Sequence, residues 1–262
     1  MDQKAGSSKV LSYLFAIGMA VTGEMGADES ICDTTQLIAA QPKGTMHKCF
    51  DDYVLEYSTT NNIPVQATYI LNANVKYDNS PFKQAISEGV GKFNREEAAH
   101  VAGFDFAALA NNSLAGTNAK ERNSELNRLP MVAELNRAGG MWNWLQTYEI
   151  SMPIRVGRLY SVNGAVTEEN DFKPRAFYKI LYQPDIHMAI AYLLPNTIAT
   201  NLESPDKYIT SIGCIEKALG YRLVTNDTVI PDSLKWSKAY SSSVWTDGVR
   251  LDKKCGHIEE AL

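Results

Sequence analysis

Asn127-Arg128-Leu129-Pro130-Met131, Glu134-Leu135-Asn136 and Trp142-Asn143-Trp144-Leu145-Gln146 succeed one another across residues 127–146, and their reading decides the fold. Trp142, Leu145 and Tyr148 recur every three residues, which lines them up on one helical face, so residues 135–148 predict an amphipathic helix. Gly139-Gly140 breaks that helix early. Upstream, His100-Val101-Ala102-Gly103-Phe104-Asp105-Phe106 follows a polar stretch and leads into the turn-rich residues 111–118. Farther upstream, two alternating runs, 53–58 and 65–71, flank Thr59-Thr60-Asn61-Asn62 and predict a hairpin. Residues 81–90 read as a short helix or an irregular segment. Downstream, three strands are expected: 154–162 ending in a turn at Asn163-Gly164, then 176–182 and 188–194, with Pro184-Asp185 between the last two. Residues 209–219 read as a helix stopped by Gly220, because glycine accepts the left-handed C-terminal position. The tail from Asp232 is polar and is expected to wrap the surface. Helices and strands intermix, the α+β pattern, and no repeat or low-complexity linker divides residues 28–262.

The chain has 262 residues, 45% of them hydrophobic and 21% charged, which is enough for a sizeable core. A net charge of -5 gives no global attraction to nucleic acid. Any phosphate binding must therefore come from local cations or a bound metal. Residues 1–27 read as a signal peptide: Lys4 and Lys9 in a polar start, an apolar run over 10–21, then small residues ending at Gly26-Ala27. That run is too short for the roughly 20 residues that span a bilayer, so secretion, rather than membrane anchoring, is expected. Four cysteines lie beyond residue 27, and an even number in an exported chain suggests two disulfides. The economical pairing is Cys32 with Cys49 and Cys214 with Cys255, one of three connectivities that four cysteines allow. Asn111-Asn112-Ser113 and Asn226-Asp227-Thr228 match the glycosylation acceptor pattern.

Of the four histidines, His47 and His257 sit near cysteines and His187 opens an apolar strand, so these read as structural or surface residues. His100 stands between a polar stretch and a mixed apolar one, where an imidazole can lie at the floor of a cleft. Glu97-Ala98-Ala99-His100, Asn127-Arg128-Leu129-Pro130-Met131 and the stretch 136–146 together resemble the non-specific DNA/RNA endonucleases of the ββα-metal, or His-Me finger, group, which includes mitochondrial endonuclease G. That family reads Asp-Arg-Gly-His, then Asn-x-x-Pro-Gln, then Asn followed by Trp-x-x-Leu-Glu. The resemblance extends to Tyr160-Ser161-Val162-Asn163-Gly164, to Pro174-Arg175-Ala176-Phe177-Tyr178-Lys179-Ile180 and to the strand ending at Pro195-Asn196, and so covers residues 53–223.

The resemblance implies a ββα-metal fold with a central antiparallel sheet flanked by helices. It further implies an endonuclease acting on DNA and RNA with little sequence preference. His100 would be the general base that deprotonates the attacking water, Asn136 the one direct protein ligand of a hydrated Mg²⁺ or Mn²⁺, and Asn127 a brace of the site. These residue types suit the chemistry, since imidazole accepts protons near neutral pH and Mg²⁺ takes oxygen ligands while keeping waters. Four departures stand out, one of them the two residues that Gly139-Gly140 adds before Trp142. Ala98 replaces the family's phosphate-contacting Arg, Ala99 replaces its Gly, and Gln146 replaces the helix Glu. Arg95, Lys92, Lys76 or Arg128 could supply the missing cation, and Glu149 or Glu134 the missing carboxylate. The alternative reading is a nuclease-fold protein with weak or no catalysis that binds nucleic acid or a protein partner; a homodimer is compatible with the sequence.

Overall fold

The computed structural model describes residues 39–73, 76–77, 103–111, 114–115, 124–168, 171–224, 230–248, 251 and 254–255. The expected signal peptide, the segment 81–90, Cys32, Lys92, Arg95, His100 and the acceptor at Asn226 lie outside them.

Among the described residues, seven antiparallel strands form the main sheet. In chain order these are β1 (Thr45–Cys49), β2 (Tyr53–Ser58), β3 (Ile63–Leu71), β8 (Leu159–Val166), β9 (Ala176–Gln183), β10 (Met188–Pro195) and β11 (Ile209–Thr210), each paired with the next in that order. Two smaller antiparallel pairs stand apart, β4 (Lys76–Tyr77) with β6 (Leu114–Ala115) and β5 (Phe104–Ala108) with β7 (Arg128–Val132). The helices are few and short: α1 (Ala133–Asn136), α2 (Met141–Ser151), α3 (Pro153–Val156), α4 (Ile212–Leu219) and α5 (Asp232–Lys235). The protein is therefore a mixed α+β structure built on one large antiparallel sheet, and none of its described helices is long and apolar enough to cross a membrane.

The alternation of side chains along a strand sorts the core into two layers. Phe177 and Leu181 of β9 with Ile190, Tyr192 and Leu194 of β10 join the cluster that holds Trp142 and Leu145 of α2. Tyr178, Ile180 and Tyr182 with Ala189, Ala191 and Leu193 join the cluster of Ile212, Cys214 and Ile215 of α4. Both faces of the sheet are thus covered. That is why 176–183 and 188–195 read as continuous apolar runs instead of alternating ones.

The predicted hairpin is β2 and β3, its turn closed by Asn62 in the left-handed region at φ 54°. The strand expected over 154–162 begins later, at Leu159, because Pro153 is pre-shaped for a helical first turn and residues 153–156 close as α3. Nor does Asn163-Gly164 turn the chain. Both residues lie inside β8, where Asn163 donates to the Tyr69 hydroxyl (2.8 Å) and Ser161 Oγ (3.0 Å). Residues 209–210 pair with β10 as β11, and the helix starts after Ser211, whose Oγ accepts from Cys214 N. Gly220, at φ 73°, ends it as expected.

The polar tail does more than wrap the surface. Leu234, Ala239 and Trp245 are buried, Lys235 pairs with Glu216 at 2.6 Å, and Thr246 exchanges two 3.0 Å backbone hydrogen bonds with Ala189. A disulfide joins Cys214 of α4 to Cys255, the pairing expected for those two, and Cys49 is disulfide-bonded as well. Asn111 is fully buried and hydrogen-bonded, so the folded protein does not present it for glycosylation.

Gly164 has a packing reason. A Cβ there would lie 2.2 Å from the ring of Tyr178, which is fully buried and held through its hydroxyl to Gln66 (3.2 Å). Gly164→Ala is expected to lower stability by about 1–3 kcal/mol, as overpacked cores do, read as a lower midpoint in urea or thermal unfolding.

Candidate active site

β5 is the strand into which the His100 segment leads, and β7 pairs with it over its whole length, Phe104 opposite Val132 and Ala108 opposite Arg128. Asn127 extends that pairing past the strand end. Its backbone carbonyl accepts from Leu109 N at 3.0 Å. Its fully buried carboxamide accepts from Ala110 N (2.8 Å) and donates to Ala110 O (2.9 Å), imitating a further strand residue. Asn127 thus ties the start of β7 to the continuation of β5.

α1 follows β7 without a loop, and two hydrogen bonds fix the change of direction: Ala133 N to Gly103 O and Val132 N to Asn196 Oδ1, both 2.8 Å. Asn136 is the last residue of α1. It is half-buried, and its side chain has no hydrogen bond to a described residue. Arg137 comes next, and its guanidinium grips Asp105 of β5 through Nε (2.9 Å) and Nη2 (3.0 Å). The hydrogen bonds it donates to Asp105 push the Arg137 pKa up.

The predicted break lies between α1 and α2. Gly139 takes φ 85°, and a Cβ on Gly140 would fall 2.2 Å from the Glu134 carbonyl oxygen, too close for any other residue. α2 then starts with Met141 N donating to Asn201 Oδ1 at 2.8 Å. From the first and second turns of α2, Trp142 Nε1 and Gln146 Nε2 both donate to Ala108 O at 3.3 Å. Gln146 is only 7% exposed.

The structure therefore groups the sequence-derived residues unequally. Asn127 and Gln146 fasten at Ala108 and Ala110, whereas Asn136 belongs to the end marked by Gly103 and Asp105. Five strand residues at ~3.3 Å each, roughly 16 Å, separate Gly103 from Ala108. Arg128 is half-buried at the start of β7, Lys76 is placed only as part of β4, and Arg95 and His100 lie outside the described residues. Among the described residues, no group of three or more His, Cys, Asp or Glu side chains could hold a metal ion.

Sequence reasoning missed what lies under α2. Glu149 and Lys179 form an ion pair at 2.5 Å with both side chains wholly buried. Asn111 Nδ2 donates to Gln146 O (2.9 Å) and to Glu149 Oε2 (3.4 Å). Asn111 N in turn donates to the Tyr69 hydroxyl that also receives Asn163. Burial pushes the Lys179 ammonium pKa down while the Glu149 carboxylate pulls it back up. Lys179 Nζ also lies 5.1 Å from the Trp142 ring centroid. The available signal was a lysine inside an apolar strand with a glutamate three residues beyond Gln146 on the facing helix.

No protein-family model matches the chain, and neither does any curated protein. Solved structures do match. A chain in the structure described as the crystal structure of the EndoG/EndoGI complex, on the mechanism of EndoG inhibition, superposes with a TM-score of 0.58 at 20% identity, covering 72% of this chain and 89% of that one. The likeness is one of fold.

Removing one partner of a buried ion pair leaves an uncompensated charge. Lys179→Met is expected to cost roughly 3–5 kcal/mol in chemical denaturation. The double variant Glu149→Leu/Lys179→Met should recover most of that loss, since an apolar replacement of both partners removes the desolvation cost. Equal stabilities for wild type and Lys179→Met would show that the pair does not hold α2.

Proposed function

We propose that the protein is a secreted, metal-dependent endonuclease that hydrolyses phosphodiester bonds of DNA and RNA with little sequence preference. The observation that carries this reading is Asn136. It is a carboxamide at the end of α1, half-buried and with no hydrogen bond to a described residue, directly behind a two-stranded sheet entered from the His100 segment. A half-buried polar side chain without a protein partner is open to water. One left open beside a strand pair suits an outside ligand, and the fold likeness to a chain of an EndoG complex makes a nuclease the natural class. The Cys214–Cys255 disulfide is in keeping with export to an oxidising compartment.

The donor set fits a hard, hydrated cation. The Asn136 Oδ1 is a neutral oxygen ligand of the kind Mg²⁺ or Mn²⁺ accepts alongside water and phosphate oxygens. When bound, such an ion would offset negative charge developing on the phosphate and the leaving oxygen. The protein's own residues do the rest. His100 takes the proton of the attacking water, Asn127 keeps β5 and β7 in register, and Gly139 with Gly140 sets the angle at which Asn136 is presented. Arg128, Arg95 and Lys76 are candidates for contact with the substrate backbone.

A second reading draws on Gln146 and Glu149. Gln146 donates to the Ala108 carbonyl and Glu149 is sealed against Lys179, so neither offers a free carboxylate near Asn136. Weak or absent catalysis would leave a nuclease-fold protein that binds nucleic acid or a protein partner.

Plasmid DNA and RNA incubated with the purified protein in Mg²⁺, Mn²⁺ or EDTA separate the two. The enzyme reading expects cleavage that EDTA abolishes and that His100→Ala and Asn136→Ala each reduce by about a hundredfold or more. A folded wild type that leaves both substrates intact in every metal supports the binding reading.

A further inference from the structure

Arg137 stands one residue, about 3.8 Å of backbone, beyond Asn136, yet its guanidinium is 66% exposed and held in a bidentate grip by Asp105. An exposed ion pair contributes little to stability, so folding alone gives weak reason for such a fixed fork. Its Nε–H and one Nη2–H are committed to Asp105, which leaves the second Nη2–H and both Nη1–H for an acceptor outside the protein. The neighbouring strand residue repeats the pattern, since the exposed Lys173 Nζ lies 4.2 Å from the Phe104 ring centroid. Consecutive residues at the start of β5, Phe104 and Asp105, thus each hold a cation brought from elsewhere in a chain whose net charge is -5. Side chains of adjacent strand residues point to opposite faces, so the two cations flank the strand end nearest Asn136.

We infer that Arg137, locked by Asp105, is a further substrate-binding cation of this site and grips a phosphate of the nucleic-acid strand beside the Asn136 position. The inference rests on the endonuclease reading and names a residue for which that reading has no role. Asp105 is a positioning residue: it sets the orientation of the fork and does not touch substrate. A planar guanidinium suits the two oxygens of a phosphodiester better than a lysine ammonium does, so Arg137→Lys retains charge but loses the paired geometry.

The test is equilibrium binding of a fluorescein-labelled DNA oligonucleotide to the full chain in EDTA, by anisotropy, over a series of KCl concentrations. Plasmid cleavage in Mg²⁺ by the same preparations runs beside it, and melting curves establish that each variant is folded. Arg137→Gln is expected to weaken binding about eightfold at 0.1 M salt and to reduce the salt slope by about 0.9, the loss of one phosphate contact. Asp105→Asn and Arg137→Lys should fall between wild type and Arg137→Gln. Arg175→Gln, a change at another exposed arginine ion-paired at 2.7 Å to Glu168, should leave both quantities unchanged. If Arg137→Gln binds with wild-type affinity and slope while wild type cleaves, Arg137 is not the contact and the endonuclease reading stands. A wild type that neither binds nor cleaves removes both.

Discussion

A carboxylate and an ammonium that never meet water tie this molecule together. Glu149 of α2 and Lys179 of β9 face each other at 2.5 Å across the interface between the longest described helix and an interior strand of the seven-stranded sheet. Isolated, either charge would be strongly disfavoured in that interior. Their pairing, with Asn111 donating to the same carboxylate oxygen, leaves α2 one angular position about its axis. That position in turn directs Trp142 and Gln146 to the Ala108 carbonyl, so the small β5–β7 sheet is hung from the helix that the ion pair orients. Apolar packing supplies the bulk of the stability here. The polar contacts choose one arrangement among the many that packing alone would permit.

Much of this was readable from local signals. The hairpin of β2 and β3, the strands β9 and β10, the helix stop at Gly220 and the break at Gly139-Gly140 all rest on short-range chemistry: turn-forming residues, apolar runs and glycines that tolerate a left-handed backbone. What failed was also local chemistry, overruled by tertiary context. Asn163-Gly164 carries a strong turn signal, but the sheet places Asn163 against Tyr69 and Gly164 against the Tyr178 ring, so the pair continues a strand. Asn111 reads as an exposed acceptor and is instead buried under α2. Trp245, in a stretch of serines and charges, packs into the main core. Each of these depends on a partner far away in the chain, which no window of sequence contains.

The candidate site divides the same way. The side chain of Asn127 copies a strand's own hydrogen bonds at Ala110, just past the end of β5. The fixed pairs, Glu149 with Lys179 and Asp105 with Arg137, join residues 30 and 32 positions apart. Their meeting follows from how the layers stack, a matter of fold and not of motif.

The two ends of the main sheet carry a consequence for life at high concentration. A bare strand edge is a template on which another copy can add. On one side β10 is shielded in pieces, by the two residues of β11 and by the exchange between Ala189 and Thr246. On the other side the outermost described strand, β1, is five residues long and places His47 and Lys48 next to each other in the chain. Short, interrupted or charged edges of this kind resist stacking into fibrils, so a sheet seven strands wide is kept from growing wider.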